Sequence, residues 1–94
     1  MKGKILIVED SFLIRRRGVV IVAHRTPDFI DFKVGDSIEI ENPDKTTVVS
    51  KVAGIEFLSG KPFEDKKISF LAEDLTRKDQ AQKNAGIRLL ENRS

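Results

Sequence analysis

No apolar stretch in this chain has the length or the period of a packed helix; the apolar segments are brief, rich in Val and Ile, and cut off by turn residues. Gly18-Val19-Val20-Ile21-Val22-Ala23 is a continuous β-branched run, which is the pattern of a strand covered on both faces. Val34-Gly35-Asp36 signals a turn, and Ser37-Ile38-Glu39-Ile40-Glu41 after it alternates strictly. Side chains along a strand alternate between its faces, so Ile38 and Ile40 are expected inward and the acids outward. Asn42-Pro43-Asp44-Lys45 then gives the strongest turn signal in the chain, because Pro and Asp suit early turn positions.

The same reading places further strands at residues 4–8, 12–14, 46–57 and 68–72, with Gly54 marking a bulge. Thr26-Pro27-Asp28 and residues 59–62 form turns or loops. Thr76-Arg77-Lys78-Asp79 has the form of a helix capping box and introduces a short helical turn over 77–83. Gly86 interrupts it, and residues 87–90 read as a closing strand. Six or seven short strands at this spacing define an all-β chain, a barrel or a sandwich.

Ninety-four residues suffice for one domain, 1–94, with residues 91–94 expected as a loose tail. A chain of this size buries roughly 60–70% of its unfolded surface and needs no metal or disulfide to hold a core. Cysteine is absent and there is a single histidine, which excludes disulfides, thiol chemistry and a structural zinc site. The net charge of +2 does not by itself argue for nucleic acid. The distribution is less even: residues 1–35 are mainly basic and residues 36–60 mainly acidic, compatible with either a polarised or a mixed surface. No apolar run reaches the ~18–20 residues of a membrane span, and the four-residue run Ile5-Leu6-Ile7-Val8 is too short for a secretory signal. The expectation is a soluble, cytoplasmic protein.

Four segments, in order, carry a resemblance to a known family. Ile7-Val8-Glu9-Asp10-Ser11-Phe12-Leu13-Ile14, Arg17-Gly18-Val19-Val20, Lys33-Val34-Gly35-Asp36-Ser37-Ile38-Glu39-Ile40 and Val52-Ala53-Gly54-Ile55-Glu56-Phe57 are similar to the second domain of the translational GTPases, elongation factor Tu above all. Residues 68–79 add a looser fifth match. The resemblance implies a small closed β-barrel. The GTPase domain's phosphate-binding loop, Gly-x-x-x-x-Gly-Lys-Ser/Thr, is missing from these residues, so no GTP hydrolysis is expected.

In that family the domain holds the 3′-terminal adenosine of aminoacyl-tRNA. The resemblance implies an adenine pocket lined by Ile14, Gly18, Val20 and Leu71, with Glu56 as the carboxylate beside the base. A splayed base stacks on apolar surface while a carboxylate accepts from a hydroxyl or amino group, and such stacking contributes about 1–3 kcal/mol per base. Two positions depart from the family: Arg16 stands where it has a glycine, and Lys67 where it has an asparagine near the aminoacyl ester.

Arg15-Arg16-Arg17 is the densest basic cluster, and Arg25 is expected near it across the following hairpin. These arginines, Arg16 and Arg17 foremost, are candidates for phosphate contact; the plainer reading is a solvated turn. His24 reads as a solvated or hydrogen-bonded histidine, since no nucleophile is placed beside it. The carboxylate pairs Glu9-Asp10, Glu64-Asp65 and Glu73-Asp74 do not converge, because strand neighbours point to opposite faces. The expectation is therefore a non-catalytic, cofactor-free and metal-free binding module whose partner is RNA such as a tRNA acceptor end. The alternative is a protein–protein adaptor.

Overall fold

In the computed structural model, which describes residues 3–56 and 67–90, six antiparallel strands close into a barrel. They are β1 (Leu6–Ile14), β2 (Gly18–Arg25), β3 (Ser37–Glu41), β4 (Thr47–Glu56), β5 (Lys67–Ala72) and β6 (Gly86–Leu89). Around the ring the order is β1-β2-β5-β4-β3-β6, and β6 pairs back onto β1 through Leu6 opposite Ile87. The all-β expectation and the closed barrel both hold. The tail at 91–94 and the pair Glu64-Asp65 lie outside the described residues.

The core follows the sequence alternation. Val19, Ile21 and Ala23 of β2, Ile38 and Ile40 of β3, and Ile68, Phe70 and Ala72 of β5 are all buried. Phe32 meets Phe70 edge-on at 5.5 Å between ring centroids and Phe29 at 6.2 Å. These contacts carry the long 26–36 connection against the core, the arrangement aromatic rings prefer. The acids of β3 do not form a separate acidic face. Glu39 pairs with Arg88 at 3.3 Å, and Glu41 with Lys4 at 3.4 Å, so bases from β6 and the N-terminal segment interleave with them.

Two local expectations need correction, while the bulge that Gly54 marks is present. Residues 4–8 and 12–14 are not separate strands, because β1 runs unbroken through the polar stretch between them. The register against β2 slips between Val8 and Asp10, and this bulge absorbs Glu9. Ser11 then faces inward, buried, and its hydroxyl donates to the Lys78 carbonyl at 3.1 Å. The helical turn is shorter than expected, one 3-10 turn at Lys78–Gln80. Its cap is the side chain of Gln80, whose oxygen accepts from the N–H groups of Thr76 (2.8 Å) and Arg77 (2.9 Å). In β4 the bulge lies between Val52 and Gly54, with Ala53 as the extra residue.

The β3–β4 turn is tied to the C-terminal segment through polar side chains. Asn42, almost fully buried, donates from Nδ2 to the Gln80 carbonyl and the Thr46 hydroxyl, both at 3.1 Å. Its Oδ1 accepts from the Gln82 N–H at 2.9 Å. Next to it, Asp44 accepts from the Thr46 hydroxyl (2.6 Å), the Gln82 side chain (2.9 Å) and the Thr46 N–H (3.0 Å). The Thr46 hydroxyl first, then Gln82, hold the Asp44 carboxyl down from 3.8 to about 2. A depressed folded-state pKa means that the stabilisation is present above the unfolded value and is lost as pH falls through the folded one. Acid unfolding of the wild type is thus expected to steepen between pH 3.8 and about 2. Asp44→Asn should flatten that limb in a pH series of urea melts, and an unchanged limb would remove Asp44 from the account.

Candidate functional site

The site is built on the tip of the β1–β2 hairpin. The Ile14 carbonyl accepts from the Arg17 N–H at 3.0 Å, closing a turn over Arg15 and Arg16. Arg16 is left-handed there, with φ of 67°, at a turn position that favours glycine. Gly18 follows with φ of 124° and lies against β5's end: a Cβ on it would stand 2.6 Å from the Ala72 carbonyl oxygen and 2.7 Å from Glu73 Cα. Gly18 is therefore required by the backbone and offers no lining side chain.

Strand register assembles the outer wall. Phe12 lies opposite Val20, Val20 opposite Leu71, and Leu71 opposite Gly54. Because Val19, Ile21, Phe70 and Ala72 point inward, this row across β1, β2, β5 and β4 points out. A cleft of about 300 Å³ opens on it, lined by Ile14, Arg17, Val20, Leu71, Gly54 and Ser69, among others. The bulge at Ala53 sets Gly54 beside Leu71 with open space above, since a Cβ on Gly54 would meet nothing within 4 Å. A second hollow, about 530 Å³, flanks the tip between Arg16 and the segment Glu73–Thr76, and Arg17 reaches both.

Of the residues singled out in the sequence, Ile14, Arg17, Val20 and Leu71 are brought together in the cleft. Arg16 and Gly18 border the neighbouring hollow. Glu56 ends β4 opposite Ser69, two register steps from Gly54, and its side chain lies outside what is described. Sequence reasoning missed Ala53, Gly54, Ser69 and Phe70 as lining residues. Gly54, marked only as a bulge, was the available signal for the first.

Arg25 is not near the arginine turn. It pairs with Leu6 at the opposite end of the hairpin, and its guanidinium lies 4.9 Å from the centroid of the Phe29 ring. Among the described residues, none of Arg15, Arg16 and Arg17 forms an ion pair.

Further down the outer wall, Glu9 bridges two strands. Its carboxylate takes His24 Nδ1 at 2.9 Å and Lys67 Nζ at 3.2 Å. Burial works to raise the Glu9 pKa, but Lys67 and His24 outweigh it and hold the carboxyl below its ordinary value. His24 is thus a hydrogen-bonded histidine, and Lys67 is engaged with Glu9. Among the described residues no group of three or more His, Asp or Glu is gathered to hold a metal ion. Comparison with protein-family models, with curated proteins and with solved structures finds no match to this chain.

Proposed function

We propose that this barrel is a non-catalytic module that seats the unpaired end of an RNA, as the second domain of elongation factor Tu seats the tRNA acceptor end. The supporting observation is the cleft itself: Ile14, Val20 and Leu71, from three different strands, face one concavity with Arg17 beside them. Its volume of about 300 Å³ is at the small end of the range for ligand clefts, roughly 300–1,000 Å³. An apolar wall with a cation at the edge suits a stacked base with its phosphate alongside. The left-handed Arg16 stands at the position where the family has a glycine, so the backbone there takes the form that a glycine favours.

The test is a fluorescence titration with a single-stranded RNA ending in CCA, repeated across salt concentrations. Affinity is expected to fall with salt at a logarithmic slope near −0.7 per phosphate contacted. Arg16→Ala and Arg17→Ala should each flatten that slope, while Glu56→Ala should weaken binding at constant slope. Gly54→Leu should fill the cleft and reduce affinity at least tenfold. It should leave the melting temperature nearly unchanged, because the space above Gly54 is open. Absence of binding at low salt removes the RNA reading and leaves the protein–protein adaptor, for which the exposed Phe12, Leu13 and Ile14 are the natural contact.

A further inference from the structure

We propose that the barrel holds two consecutive nucleotides at the end of its RNA. The terminal base occupies the cleft, the nucleoside before it occupies the neighbouring hollow, and Arg17 contacts the phosphate that joins them. This rests on the reading that the cleft seats a terminal base. Ile14 and Arg17 line both concavities, so the two meet at the hairpin tip. The cleft, at about 300 Å³, is at the bottom of the range for ligand sites, and the hollow, at about 530 Å³, lies well inside it. A cleft that small has room for one base, and the chain leading into it must pass over Arg17 or away from the protein.

The lining of the hollow is divided by charge. The arginine turn forms one wall, and Glu73, Asp74 and Thr76 form the other. The Asp74 carboxylate is held in place there, accepting from the Lys51 N–H at 3.0 Å. Because Arg15, Arg16 and Arg17 form no ion pair among the described residues, their charge is available to a phosphate. A bare anion would be drawn to the arginines but repelled by the carboxylates opposite. A nucleoside joined to a phosphate satisfies both walls. Its phosphate meets the guanidinium groups, while ribose hydroxyls and base amino groups donate to the carboxylates. Leu13, half-exposed at the rim, adds apolar surface for the base.

The test is an NMR titration of the whole chain at low salt with three probes: the methyl ester of AMP, the dinucleotide CpA and the trinucleotide CCA. The methyl ester carries the same single diester charge as the CpA linkage, so the difference between them reads the second nucleoside alone. CpA is expected to bind at least tenfold tighter than the ester, and CCA no more than about threefold tighter than CpA. Thr76→Trp and Glu73→Trp each fill the hollow from an exposed position that does not line the cleft. Both should erase the CpA advantage and leave binding of the ester unchanged. The Thr76 N–H that donates to Gln80 is retained in the first variant, and circular dichroism confirms that each is folded. Equal binding of CpA and the ester overturns this inference and leaves the cleft reading standing. So does a CpA advantage that persists in both folded variants, or a CCA gain as large as that of CpA. If no probe binds, this inference and the cleft reading fall together.

Discussion

Gly18→Ala is expected to destabilise the barrel by about 3 kcal/mol or more, a loss of roughly 15 °C in melting temperature for a domain of this size. Two independent costs coincide at this residue. Its φ of 124° is a backbone conformation that L side chains rarely adopt. The added methyl would also press on the Ala72 carbonyl oxygen at 2.6 Å and Glu73 Cα at 2.7 Å, neither of which can swing aside as a side chain could. The matched control is Gly54→Ala, where φ is not positive and nothing lies within 4 Å. That variant should melt within a few degrees of wild type. Equal melting of Gly18→Ala and wild type would show that the close approach of the hairpin to β5's end is not as described.

Asn42→Ala is expected to be nearly as damaging, at about 3 kcal/mol. The side chain makes two donations and one acceptance, and two of these three bonds reach backbone groups of Gln80 and Gln82. Truncation leaves those backbone groups without their partner, and orphaned buried groups are what make such losses large. Urea denaturation should show a lower midpoint with an unchanged slope. Thr46→Val, which removes the hydroxyl that accepts from Asn42 and donates to the exposed Asp44, should cost less, since neither loss leaves a backbone group without its partner. A near-neutral Asn42→Ala would mean that water takes over the Gln80 carbonyl and Gln82 N–H at no loss.

The strands around the clearest alternation were legible in the sequence. Ser37-Ile38-Glu39-Ile40-Glu41, bracketed by two turn signals, appears as β3 at the residues expected, with both Ile inside. The unbroken course of β1 was not legible. Glu9, Asp10 and Ser11 look like a polar interruption, and only the fold reveals that a bulge absorbs Glu9 and that Ser11 finds a carbonyl from Lys78. Local pattern carries no information about a partner so distant in sequence. The same limit explains the capping residue, since Gln80 reaches back to both Thr76 and Arg77 while the sequence pattern pointed to Asp79. Arg25 was misplaced because proximity along a hairpin depends on register, and register puts Arg25 opposite Leu6.

The cleft divides in the same way. Ile14 and Val20 sit on one face of one hairpin, a relation that strand alternation sets locally. The resemblance, not the alternation, supplied Leu71. Ala53 and Ser69 depend on how β4 shifts against β5 at its bulge, which no local rule specifies.

The insertion of Gly86–Leu89 between β1 and β3 has a consequence for synthesis. The first and last strands are neighbours, so a nascent chain emerging from the ribosome carries an unfinished sheet with two raw borders until Leu89 is free to dock. Topologies that depend on such remote pairings fold slowly, and their half-built forms are exposed to aggregation. Folding of this barrel is therefore complete only once Gly86–Leu89 has docked, and the borders of β1 and β3 stay bare until it does.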